Sequence, residues 1–200
     1  LVGSEMCIRD SHMNFINDAF GDIYDTTTPE TIYGRSGITS EGANDILVDG
    51  CEFYRIGLFR APEDRMHDHG IYVSGSGQRW TVRNNYFHDI PGGGGIQIYG
   101  PSGGNCSNST IENNLFVRTR MGVILGGVSN TANEVHHNTF YQGTKCDVFI
   151  TEAAHGNSIH HNLFGPMIPD DAEIVGYHIN FPQLNSLYNT ICLLYTSDAA

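Results

Sequence analysis

The sequence predicts an all-β solenoid, in which short parallel strands stack coil upon coil, and three observations carry that prediction. A six-residue pattern, apolar-x-x-Asn/Asp-x-Phe, occurs six times along the 200 residues, once with Cys51 at the Asn position. Between copies runs a second short element that alternates apolar and variable residues at period two, the signature of a strand. Glycine clusters such as "PGGGG" (91–95) and "PSGG" (101–104) punctuate between elements, and no stretch carries the stripe of a sustained helix.

The six copies are "FINDAF" (15–20), "VDGCEF" (48–53), "VRNNYF" (82–87), "IENNLF" (111–116), "VHHNTF" (135–140) and "IHHNLF" (159–164). Their last residues, Phe20, Phe53, Phe87, Phe116, Phe140 and Phe164, are separated by steps of 33, 34, 29, 24 and 24. A 24-residue coil with loop insertions in some turns accounts for those steps. Coils stacked about 4.8 Å apart place equivalent residues in ladders along the axis. About five to six coils are expected, incomplete at one or both ends, and the expected hand is right.

The second element reads "GIYVSG" (70–75), "GIQIYG" (95–100), "GVILGG" (122–127) and "DVFIT" (147–151). Alternation turns Ile71, Val73, Ile96, Ile98, Val123, Leu125, Val148 and Ile150 inward, to meet Val82, Ile111, Val135, Ile159 and the phenylalanines. It turns Tyr72, Gln97, Ile124 and Phe149 outward in one row, and Ser74, Tyr99, Gly126 and Thr151 in the next. The series Asn85, Asn114, Asn138 and Asn162 fits a side-chain amide ladder at a tight turn, where Asn tolerates a left-handed backbone. The doubled histidines occupy matching repeat positions, so His136 is expected to stack on His160 and His137 on His161. Neighbours that close resist both carrying charge, which favours neutral imidazoles near pH 7.

The two ends differ in character from what lies between them. The codons TGT CTC TTA TAC ACA TCT encode Cys192 to Ser197, and their reverse complement in a shifted frame encodes Glu5 to Asp10. This resembles the inverted end sequence of a transposase used to fragment DNA for sequencing. Residues 1–11 and 192–200 are therefore expected to be adaptor-derived and to lie outside the coils, leaving 12–191 as a β-solenoid fragment. The chain has 22 acidic and 10 basic residues; without Glu5, Asp10, Asp198 and Arg9 these become 19 and 9, a net charge of −10. That balance argues against nucleic acid or an anionic membrane as partner. Cys51, Cys106 and Cys146 remain, with no CxxC spacing and so no disulfide framework or zinc knuckle. No apolar run approaches the roughly 20 residues of a membrane-spanning helix.

The repeats "VRNNYF", "IENNLF", "VHHNTF" and "IHHNLF", with "HGIYVSG" and "GGIQIYG" between them, resemble the right-handed parallel β-helix proteins of the pectate-lyase-like superfamily over about residues 37–191. The resemblance implies a carbohydrate-active domain in an extracellular, periplasmic or cell-surface setting, with a polysaccharide as partner. It also implies a groove along the outer face of one parallel sheet, here that of "GIYVSG". Members include polysaccharide lyases, glycoside hydrolases, alginate epimerases, phage tailspikes and secreted proteins of no known activity. Nothing in the pattern specifies an oligomeric state.

The loops entering this sheet carry His67, Asp68 and His69, then His88 and Asp89, then Arg118 and Arg120, then Lys145. Acid/base groups beside cations suit β-elimination on a uronic-acid polymer: a base takes the proton next to the carboxylate, a cation stabilises the charge, and an acid serves the leaving oxygen. The expected catalytic residues are His67, Asp68, His69 and Tyr72, with His69 or Tyr72 as base or acid and Asp68 orienting a histidine. The expected substrate-binding residues are His88, Gln97, Tyr99, Arg118, Arg120 and Lys145, since aromatic faces pack on sugar rings and arginine grips a carboxylate with two prongs. No residue set specifies a metal and no cofactor is required, although a divalent cation such as calcium is compatible. The leading expectation is a polysaccharide lyase or epimerase acting on an acidic glycan. The alternatives are a noncatalytic domain for glycan binding, adhesion or display, and a glycoside hydrolase using Asp68 and Asp89.

Overall fold

A computed structural model describes residues 6–8, 11–23, 34–57, 67–151, 154–168, 177–180 and 190–192. Its strands stack in three parallel columns, a solenoid of about six coils. The first column contains Asn14–Ile16, Leu47–Asp49, Thr81–Arg83, Thr110–Glu112, Glu134–His136, Ser158–His160 and Thr190–Cys192, paired in that order. The second column carries the phenylalanines, on Ala19–Ile23, Glu52–Ile56, the first part of Tyr86–Tyr99, the first part of Leu115–Gly126, Thr139–Tyr141 and Leu163–Phe164. The third column runs from Met6–Ile8 through Ser36–Glu41, His69–Ser74, the later parts of Tyr86–Tyr99 and Leu115–Gly126, and Cys146–Ile150 to Tyr177–Asn180.

Two of these strands pass through a corner without interruption, which corrects the reading of "PGGGG" as punctuation. Residues 91–95 lie inside the 14-residue strand Tyr86–Tyr99. The glycines serve close approach there. A Cβ on Gly93 would sit 2.3 Å from the Asp68 carbonyl oxygen, and one on Gly95 would sit 2.6 Å from the Phe116 ring. Met6–Ile8, expected outside the coils, pairs in parallel with Ser36–Glu41, and Cys192, likewise expected outside, ends the strand Thr190–Cys192 that pairs with Ser158–His160. An open solenoid edge presents unpaired backbone groups that accept any extended segment.

Each corner turns on one left-handed residue per coil. Asn17, Asn84, Asn113, His137 and His161 lead from the first column to the second with φ of 52–56°. Asp22, Arg55, Asp89, Arg118 and Gln142 follow the phenylalanines by two residues with φ of 50–57°, and His12, Asp45, Arg79, Asn108 and Ala132 serve the remaining corner. The left-handed position is therefore the residue before the ladder asparagine, not the ladder asparagine itself as expected. The reason is geometric: the reversal lets the next residue direct both its backbone N–H and its side chain along the axis. Asn85 donates its backbone N–H and its Nδ2 to Asn114 Oδ1 at 3.0 and 2.9 Å. Asn114 does the same to Asn138 Oδ1, both at 3.0 Å, and Asn138 to Asn162 Oδ1 at 2.9 and 3.1 Å. Cys51, at the ladder position of its coil, still donates its N–H to Asn85 Oδ1 at 2.8 Å. A second ladder, unforeseen, joins Ser109 to Asn133 and Asn133 to Asn157.

Between the columns the core is a stack of rings. Phe20, Phe53, Phe87, Phe116, Phe140 and Phe164 lie 4.6–5.3 Å apart with interplanar angles of 7–11°. The wall opposite them is the glycine column Gly37, Gly70, Gly95 and Gly122, each so close that an added Cβ would collide with a phenylalanine. All the aliphatic residues expected to point inward are buried. The three cysteines are buried and unpaired by disulfides, and burial pushes the thiols of Cys106 and Cys146 up to about 11 and about 12.

Candidate functional site

The outer face of the third column carries the expected row. Tyr72 pairs with Thr39 on one side and Gln97 on the other, Gln97 with Ile124, and Ile124 with Phe149. Tyr72, Gln97 and Tyr99 are half-buried, the condition of side chains that can meet a ligand while held by their neighbours. Ile124 faces outward as expected but is covered, only 2% exposed, and packs with Met121, Cys146 and Phe149. The polar and aromatic groups of the middle coils on this face are thus Tyr72, Gln97 and Tyr99, and the first row continues through Ile124 and Phe149 to Asn180.

At the edge where the chain enters this face, His67 is exposed while Asp68 and His69 are buried. Asp68 Oδ1 accepts the backbone N–H of Arg35, one coil away, at 2.7 Å. His69 Nδ1 accepts the N–H of Gly94 at 3.0 Å, which leaves the ring proton of the neutral imidazole on Nε2. Burial, assisted by nearby His67, lowers the His69 pKa to about 3, so the ring is neutral across the physiological range. The Tyr72 ring stacks on it with centroids 5.6 Å apart.

Two expected ligand-binding groups lie elsewhere, on the outer side of the second column and its corner. Arg118 grips Asp89 with Nε at 2.6 Å and Nη2 at 3.0 Å, and this arginine is what chiefly holds the Asp89 carboxyl below its usual value. His88 places Nδ1 2.8 Å from Asp89 and Nε2 3.0 Å from Glu52, with its ring beside Tyr86 and Tyr54. Arg118 belongs to a surface pattern in which arginine meets an aspartate one coil away, as in Arg55–Asp22, Arg79–Asp45 and Arg83–Asp49. Arg120 and Lys145 do sit on the entering edge of the third column, on consecutive coils, with Lys145 N–H donating to Arg120 O at 2.9 Å. Arg120 is buried, and Lys145 Nζ lies 5.9 Å from the Phe149 ring centroid.

Sequence reasoning passed over one ionisable pair. Asp147 takes the place that Gly122 holds one coil earlier, is buried, and lies 2.6 Å from His178 Nδ1. Burial raises the Asp147 pKa, while the hydrogen bond that His178 donates to Asp147 raises that of His178. The signal was present in "DVFIT", where aspartate opens an element that otherwise begins with glycine.

The doubled histidines stack as expected: His136 on His160 at 5.0 Å and 4°, and His137 on His161 at 5.3 Å and 9°. Burial is the main reason the His136 pKa lies below its ordinary value. Among the described residues no group of three or more His, Cys, Asp or Glu side chains converges to enclose a metal ion.

Comparison with known proteins gives a family. A family model described as a right-handed beta helix region matches residues 7–166. No curated protein and no solved structure matches the chain. A match of that extent, over strands that stack in parallel register from coil to coil, decides membership: the chain belongs to the right-handed β-helix family.

Proposed function

We propose that this β-helix is a carbohydrate-active domain that binds an acidic glycan along the outer face of its third column and acts on it as a polysaccharide lyase or epimerase. The observation that supports this best is the adjacency of half-buried Tyr72 and Gln97, one coil apart, with the cations Arg120 and Lys145 on the entering edge of the same face. An acidic chain needs such local cations to hold a uronate polymer against its own net charge of −12.

In this reading Tyr72 and exposed His67 share the proton transfers, one removing the proton beside the carboxylate and the other serving the leaving oxygen. His69 is a platform beneath Tyr72 and no longer a base, because its Nδ1 is committed to Gly94. Asp68 holds the loop by its bond to Arg35, and Gln97 and Tyr99 meet sugar hydroxyls and ring faces. A divalent cation such as calcium, bridging glycan carboxylates, is the one cofactor the reading admits. An extracellular, periplasmic or cell-surface location belongs to the same proposal.

The buried, neutral state of His69 favours a second reading, a noncatalytic glycan-binding or display domain. A glycosidase is disfavoured, since both Asp89 oxygens are engaged by Arg118 and one of them also faces His88, which leaves that carboxylate committed within the protein. The test is a screen of the full chain on alginate, pectin and chondroitin for the ultraviolet absorbance of the unsaturated product. Absorbance that Tyr72→Phe abolishes without loss of binding supports a lyase. Binding with neither unsaturated product nor a change in the uronate epimer ratio by proton NMR supports the noncatalytic reading. Binding to no glycan would sink both.

A further inference from the structure

The doubled histidines are unused by the groove, and their geometry repeats in two coils. His136 Nδ1 and His137 Nδ1 are 2.8 Å apart, and His160 Nδ1 and His161 Nδ1 are also 2.8 Å apart. Two nitrogens at right angles around a metal with bonds of about 2.0 Å are separated by about 2.8 Å, the bite of a square-planar or tetragonal Cu(II) or Ni(II) ion. We propose that these pairs form a stacked, bidentate imidazole site for a divalent transition ion of that class on the outer surface of the first column.

Three features build the site. The corner places one histidine on the strand and the next in left-handed backbone, with φ of 54° at His137 and 52° at His161, so that two successive rings meet nearly edge to face. His136 Nε2 lies 3.8 Å from both Glu112 Oε2 and Glu134 Oε2. Those carboxylates, beyond direct hydrogen-bond distance, attract the proton to Nε2 electrostatically and leave the Nδ1 lone pair as the ligand. His137 and His161 are exposed, so an ion can reach Nδ1 from solvent.

Without an ion, the short Nδ1–Nδ1 approach requires one ring of each neutral pair to carry its proton on Nδ1. Binding moves that proton of His137 to Nε2 by tautomer exchange, turns each lone pair by about 45° toward a common point, and releases no net proton from neutral rings. Water fills the remaining positions, which is why two ligands per coil suffice without a closed cage. Two ions one coil apart would repel, so one ion binds tightly, at His136–His137 where Glu112 and Glu134 stand close, and a second binds weakly.

The test uses the full chain purified without a polyhistidine tag. It combines calorimetric titration with Ni(II) and Cu(II) and the nitrogen hyperfine pattern of bound Cu(II). The informative variant is His137→Asn with His161→Asn, because Asn84 and Asn113 occupy the same left-handed corner in earlier coils and show that the fold accepts asparagine there. Expected are one tight equivalent with two imidazole nitrogens, a loss of about 100-fold in affinity in that variant, the order lost when a tethered second ligand is removed, and no change in His12→Asn with His155→Asn. Unchanged affinity in the first variant, a single-nitrogen pattern, or no binding at micromolar ion would overturn the proposal.

Discussion

Replacing Asn114 by alanine removes one rung of the amide ladder, and the structure allows its cost to be worked out. The side chain of Asn114, 2% exposed, accepts the backbone N–H and Nδ2 of Asn85 and donates to Val82 O and Asn138 Oδ1, at 2.9–3.0 Å. Asn85 Nδ2 keeps its bond to Val48 O, and Asn138 Oδ1 keeps the Asn114 backbone N–H. The Asn85 N–H, however, loses its partner inside the protein. An orphaned buried donor costs about 2 kcal/mol, and each of the other three lost bonds contributes about 1 kcal/mol, so Asn114→Ala should destabilise by about 5 kcal/mol. The single tryptophan, Trp80, is 1% exposed, donates Nε1–H to Ala43 O at 2.9 Å and lies one coil from the lesion, which makes its fluorescence a native reporter for urea unfolding. A loss below about 1 kcal/mol would refute the reasoning, because it would mean the ladder amides are no better satisfied than by water.

Two other perturbations separate space from backbone and burial from charge. Gly95→Ala should cost about 3 kcal/mol in urea unfolding, since the new Cβ meets Phe116 at 2.6 Å and the Gly122 carbonyl oxygen at 2.9 Å. Gly103→Ala, which has nothing within 4 Å but a φ of 84°, should cost only about 1 kcal/mol. For His69 the folded pKa of about 3 lies below the unfolded value near 6.5, so acid protonates the unfolded chain first. The contribution of His69 is therefore fully present above about pH 6.5 and is lost at roughly 1.4 kcal/mol per pH unit as pH falls toward 3. Urea midpoints measured at pH 7, 5 and 4 should show that slope reduced by one proton in His69→Gln; an unchanged slope would place the titration elsewhere.

The stack was legible because repetition makes each position its own control. Phe87, Phe116 and Phe140 recur where a ring must lie on a ring, and Asn85, Asn114 and Asn138 where an amide must bond an amide, so one coil predicts the next. Left-handed corners were misplaced by one residue because sequence shows asparagine at both positions in "RNNYF" and "ENNLF", and only the direction of the backbone N–H tells the two apart. "PGGGG" misled for a related reason: glycine marks either a turn or a close approach, and here Asp68 and Phe116 occupy the space a side chain would need. The site was legible in its row, Tyr72 beside Gln97, because strand alternation fixes which residues face out. Its charges were less so. Arg118 is claimed by Asp89 and His88 by Glu52, each one coil below, and such pairing depends on three-dimensional register rather than on spacing.

The central claim, that the ligand face is the outer side of the third column, is tested most directly by hydroxyl-radical footprinting of the full chain with and without an oligosaccharide of an acidic glycan it binds. Tyr72 and Tyr99 should become protected, while Tyr54, Tyr86 and Tyr141, on the outer side of the second column, keep their reactivity. Protection of Tyr54, Tyr86 and Tyr141 with Tyr72 and Tyr99 unchanged would contradict the account and move the glycan to the opposite side of the corner.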